Sequence, residues 1–282
     1  MLEVLLFLIS FCLLAVVAGW VYFRKYRPAL PPIGVFTIRD VTVMCVIIVL
    51  IPYVYLALPL WAVTIFLGAG FLSALYFTLE PVLRRPWATG LAAAALVGSD
   101  IAVALIHGVS NRQFQLINNA VLILVVMGAT NLWAQSGMKA RHVALLAACL
   151  TGYDAFATWH LSTMSDLVER LAGIPLAPVM AWGSPGRYLA VGLGDLVIAA
   201  AFPLVMRKAF GRTAGLVALV AGLLVIGAIL TALVTGVIKG NIPAMVALGP
   251  IALLQYGWWL RRRGKERTTW EYLHAEPLTR LG

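Results

Sequence analysis

The chain is a succession of apolar runs, each about 20 residues long and each closed by proline, glycine or charge. That is the length an α-helix needs to cross the hydrocarbon core of a bilayer. Nine runs are read, at about 2–23, 41–57, 60–80, 87–107, 116–135, 142–161, 187–206, 214–238 and 243–260. The predicted fold class is therefore all-α, a polytopic membrane protein with nine transmembrane helices. Composition excludes the soluble alternative, because 62% of the residues are hydrophobic and 11% charged. Soluble domains run near 45–50% and about 25%. The break between the second and third runs rests on little more than Leu58 and Pro59. The long connection at about 162–186 holds most of the non-helical punctuation, including Gly173, Pro175, Pro178, Gly183, Pro185 and Gly186.

A net charge of +10 raises the possibility of a nucleic-acid partner. The basic residues instead sit in short clusters between the apolar runs, so the partner expected is the lipid bilayer, with no nucleic acid. Cys12, Cys45 and Cys149 all fall inside apolar runs and read as small buried hydrophobes. No metal-ligand spacing is present, and neither a metal nor another cofactor is expected. The first run does not read as a cleavable leader, since it carries Glu3 and is followed by Arg24-Lys25-Tyr26-Arg27.

Lysine and arginine set the orientation of such a chain. Assigning the odd-numbered connections and the tail to the cytoplasm collects 17 of the 21 basic residues there. Only Arg112, Arg170, Arg187 and Lys239 fall on the other side. The N-terminus is thus expected outside and the C-terminus inside. Three parts follow: an N-terminal bundle over 1–138, a core over 139–260 and a basic cytoplasmic tail over 261–282. Trp87, Trp133, Trp182, Trp258, Trp259 and Trp270 read as interface anchors.

Ionisable groups within a span cost about 2.5–3.5 kcal/mol on insertion scales and usually have a function. Asp100, Asp154 and Asp195 are such groups. Asp154 lies about 7 residues before the end of the sixth run, and Asp195 about 8 residues into the seventh. At 1.5 Å per residue, both carboxylates sit roughly 10–12 Å below the outer helix ends. Two consecutive antiparallel helices with carboxylates at matched depth have the geometry of a dyad. Two close carboxylates in a poorly solvated site share a proton. One can then activate water while the other hydrogen-bonds the carbonyl under attack. Gly192 and Gly194 leave space beside Asp195 for another backbone. Pro243 restricts Ile242 to an extended conformation at the start of the ninth run. The segment near 241–245 and the loop at 174–186 are candidates to pair with an unwound substrate as added strands.

Tyr153-Asp154, Gly192-Leu193-Gly194-Asp195 and Pro243-Ala244-Met245 resemble the YD, GxGD and PAL motifs of the presenilin and signal peptide peptidase family. They occur in runs six, seven and nine, as in that family. The stretch GLGDLVIAAAFPLVMRKAF from Gly192 to Phe210 and the expected orientation resemble signal peptide peptidase more closely than presenilin. Met245 stands where the family pattern has leucine. The resemblance implies a presenilin-like fold and an intramembrane aspartyl protease that cleaves transmembrane helices of type II orientation or signal-peptide remnants. It implies catalysis by Asp154 and Asp195, with substrate binding by Tyr153, Gly192, Leu193, Gly194, Ile242, Pro243, Ala244 and Met245. Short loops and a tail without a retention signal point to a prokaryotic cell membrane.

Two alternatives are set beside this. A prepilin-peptidase-like aspartyl protease works at the membrane surface and places its aspartates near the cytoplasmic ends. A proton-coupled transporter would use Asp100, Asp154 and Asp195 as a relay, but no internal repeat of the kind many transporters carry is visible. Asp100 is expected to pair with Asn118, Asn119 or Asn131, or to face an aqueous cleft. His107 and His160 are expected at the interface.

Overall fold

The computed structural model describes residues 1–26, 36–160, 167, 170–184, 187–237, 243–267 and 271. Inside lipid a helix satisfies its backbone groups internally, and long apolar helices dominate. They are α1 (Leu2–Lys25), α2 (Ile38–Ala57), α3 (Leu60–Leu83), α4 (Pro86–His107), α5 (Arg112–Gln135), α6 (Ala140–His160), α7 (Leu193–Phe210), α8 (Arg212–Val234) and α9 (Met245–Arg263). Between α6 and α7 lies an antiparallel hairpin, β1 (Val179–Ser184) and β2 (Arg187–Gly192).

Local chemistry sets several of these limits. Asp40 closes a capping box on Thr37 at the start of α2, accepting the Thr37 N–H at 2.7 Å. The Asn111 side chain accepts the Gln113 N–H at 2.8 Å and starts α5. Pro86 is the first residue of α4, and Gly211, at φ 102°, turns the chain from α7 into α8.

Six helices, α1 to α5 and α8, are long and apolar enough to cross a membrane. The expected count of nine is corrected to six by that measure. The other three are less apolar, with Arg141, His142 and Asp154 on α6, Asp195, Arg207 and Lys208 on α7, and Arg261 to Arg263 on α9. Those three are sheltered by their neighbours to different degrees. Every residue of α7 from Ile198 to Phe210 is buried, as befits a helix that is apolar nearly all round. α7 packs on α1, α5, α6, α8 and α9. A single hydrophobic cluster runs from Val4 on α1 to Trp259 on α9.

Two helix pairs meet through the same joint. Thr78 on α3 shares its hydroxyl proton between the Ala74 carbonyl (2.7 Å) and the Leu124 carbonyl of α5 (3.1 Å). Leu124 lies one turn before Gly128, where a Cβ would come within 1.8 Å of that hydroxyl. Thr151 on α6 repeats this, reaching the Ala147 carbonyl (2.8 Å) and the Met245 carbonyl of α9 (2.9 Å). A Cβ on Gly249, one turn after Met245, would again come within 1.8 Å of the hydroxyl. Small residues let helix backbones approach closely enough for such contacts.

The chain has two chemically distinct ends. At one, Lys208 Nζ donates to the Ala134 carbonyl (2.7 Å), Gln135 to the Tyr26 carbonyl (3.1 Å) and the Ala140 N–H to Glu266 (2.8 Å). Arg207 lies 4.7 Å over the Trp20 ring. These contacts gather the basic ends of α1, α7 and α9 with the α5–α6 turn. At the other end the hairpin packs on α1, with Trp182 stacked on Phe7 at 4.9 Å. Trp182 and Trp259 are buried, which corrects their reading as interface anchors. Trp87 and Trp258 are exposed, and Trp270 lies outside the described residues.

Candidate active site

β2 runs into α7 at Gly192, and Asp195 is the third residue of the helix. Residues 187–192 are therefore strand, where the sequence reading places the start of the seventh span. Within them Leu189 and Val191 face inward and Tyr188 outward, the two-residue period of a strand. Asp195 consequently lies in the first helical turn, where a carboxylate is favoured by the helix dipole, and not two turns down the helix. A Cβ on Gly192 would stand 3.3 Å from Asp195 Oδ2, so glycine there leaves the carboxylate uncrowded.

Asp154 on α6 is 7% exposed. Asp195 is half-buried and lies within electrostatic reach of Asp154. The backbone N–H groups of Ala244 and Met245 lie within electrostatic reach of the Asp195 carboxylate. They belong to the first turn of α9, whose N–H groups have no partner within the helix, so the start of α9 faces the first turn of α7. Thr151 sits one turn before Asp154 on α6 and holds the Met245 carbonyl from the other side. Three helices thus converge on the carboxylate pair through the Ala244–Met245 backbone.

Tyr153 is half-buried, and its hydroxyl has no hydrogen-bond partner among the described residues. Leu193 packs against the main hydrophobic cluster. Among the described residues a Cβ on Gly194 would meet nothing within 4 Å, so no described backbone stands beside it. Pro243 precedes α9, and Ala244 and Met245 are buried. Asn241 and Ile242 lie outside the described residues. The described part of 241–245 is the entry to a helix, not a strand, because the Val246 and Leu248 N–H groups already bond back to Pro243 and Ala244. Of the two strand candidates, the 174–186 loop holds one, β1.

Asp100 is fully buried and accepts the Leu176 N–H at 2.8 Å. Among the described residues it bonds none of the three asparagines expected as its partners. Asn118 and Asn119 bond the hairpin backbone nearby, and Asn131 reaches the Gly19 carbonyl. The backbone N–H is the nearer donor for a buried carboxylate, since the loop before β1 folds directly over α4. His107 is exposed at the end of α4; the side chain of His160 lies outside the description. Sequence reasoning missed Thr151 and Gly249. Their only signal is a hydroxyl and a glycine in two apolar runs.

No protein-family model matches the chain, and no curated protein matches it.

Proposed function

We propose that the protein is an intramembrane aspartyl protease, with Asp154 and Asp195 sharing the work of activating water. The observation that carries this reading is the convergence of two aspartates with the N–H groups of Ala244 and Met245, at the junction of a hairpin and three helices. The motif resemblance supports the same reading and extends it to a presenilin-like arrangement of nine spans. α6, α7 and α9 would then cross the membrane shielded by the six more apolar helices, where charge is tolerated if it faces protein or a cavity.

The chemistry follows from the pair. One carboxylate takes a proton from water as its oxygen bonds to the scissile carbonyl carbon. The other, protonated, hydrogen-bonds the carbonyl oxygen and then gives its proton to the departing amine as the C–N bond breaks. The pair titrates as a unit, so neither role belongs to one residue. The nearby N–H groups of Ala244 and Met245 are placed to orient the Asp195 carboxylate. The empty space beside Gly194 lies where a substrate backbone must approach. A transmembrane substrate hides its carbonyls in helical hydrogen bonds, and adding it as a strand beside the hairpin exposes them. Type II helices and signal-peptide remnants are the substrates this reading favours.

Asp154→Asn and Asp195→Asn are each expected to abolish hydrolysis of a helical reporter in detergent while leaving the protein folded. Turnover near the parent rate by either variant, with folding confirmed by thermal unfolding, would sink the dyad.

A further inference from the structure

The outer edge of β1 is closed by side chains rather than by a strand. Gln115 Nε2 donates to the Gly183 carbonyl and Gln115 Oε1 accepts the Gly183 N–H, both at 2.9 Å. Asn119 does the same with Ala181, at 2.9 and 3.1 Å. Asn118 Nδ2 adds contacts to the Ala177 carbonyl (3.1 Å) and the Val179 carbonyl (3.2 Å). All three amides are buried.

A primary amide offers one carbonyl and an N–H₂ group, and so reproduces the pairing of a peptide group. The spacing fits as well. Residues four apart on a helix rise about 6 Å, and residues two apart on a strand span about 6.8 Å. Gln115 and Asn119 on α5 therefore match Gly183 and Ala181 on β1, running antiparallel to it. The register Ala181↔Ala190 and Gly183↔Tyr188 then has a consequence. Because the backbone groups of Ala181 and Gly183 point to α5, those of Ala190 and Tyr188 point to the far edge of β2. That edge leads through Gly192 to Asp195.

An isolated two-stranded hairpin is marginally stable in water. Here α5 takes the place of a third strand. We propose that Gln115 and Asn119 are positioning residues that keep the hairpin folded before any substrate arrives, so that an incoming segment meets a formed β2 edge. The proposal rests on the protease reading for its role in turnover, but the preformed hairpin is testable without it.

The test compares the purified full chain with the double variant Gln115→Met, Asn119→Leu and with Asn131→Leu, which removes a buried amide far from the hairpin. Amide hydrogen exchange without substrate is expected to quicken at least about tenfold across 179–192 in the double variant and to stay unchanged there in Asn131→Leu. With a transmembrane reporter, KM is expected to rise about tenfold at nearly constant kcat, since only the competent fraction of the enzyme falls. Unchanged hairpin exchange in the double variant overturns the proposal, and so does a fall in kcat at constant KM. If the parent chain cleaves nothing, the protease reading fails while the exchange result still decides the role of the amides. If the double variant does not fold, Gln115→Met alone removes one of the two pairs and is read the same way.

Discussion

Gly194 separates two demands that usually coincide. It lies in the first turn of α7 with open space where a side chain would stand. Alanine there gains helix propensity, worth up to about 1 kcal/mol, and meets no clash. Gly194→Ala is therefore expected to hold or raise the unfolding temperature in detergent. Its methyl group would occupy the approach to Asp195, and a misplacement of about 1 Å costs up to roughly 100-fold in rate. Cleavage of a helical reporter is expected to fall at least about tenfold; full activity in the stabilised variant would show that the space is not used. At this scale the sequence is informative. Asp154 and Asp195 stand out because a carboxylate in an apolar run demands a reason. Asp100 stands out equally, but its partner does not. A backbone N–H on a distant loop leaves no mark in residue type.

The Thr–Gly joints make a matched pair of elements. Gly128→Ala forces a methyl group onto Thr78 and the Ala74 carbonyl, and Gly249→Ala forces one onto Thr151 and the Ala147 carbonyl. Overpacking of this kind costs about 1–3 kcal/mol, and both variants are expected to lose comparable stability in thermal unfolding. Only the second lies one turn from Met245, whose backbone lies beside Asp195. Activity per folded molecule is thus expected to survive in Gly128→Ala and to collapse in Gly249→Ala. Equal specific activities would sever the α6–α9 joint from the site. The helices themselves are legible in the sequence because their apolar runs are long. The hairpin is not. Residues 187–192 continue an apolar run, and a strand of six residues cannot be told from a helical segment by hydrophobicity. The decisive information sits on α5, whose amides complete the edge of β1.

At the scale of the molecule, the basic end of α7 joins the ends of other helices in three dimensions. Arg207, Lys208 and the start of α6 meet the ends of α1, α5 and α9, while the hairpin packs against the N-terminal part of α1. The nine-span reading assigns 17 of the 21 basic residues to that side, so that end is expected to face the cytoplasm. Cysteine labelling or reporter fusions at the two termini check this. A cytoplasmic N-terminus would remove the basis for type II substrates.

Asp195 lies beside the start of a helix made after both aspartates. The chain emerges from its N-terminus, so the two carboxylates exist before α9 does. A chain interrupted upstream of Ala244 holds the full pair of carboxylates but lacks the Ala244–Met245 backbone that lies beside Asp195. It also lacks the Met245 carbonyl that receives Thr151. Synthesis itself therefore acts as a safety catch. The carboxylate pair gains the α9 backbone beside it only when that helix is in place, by which time α1 to α8 have been made.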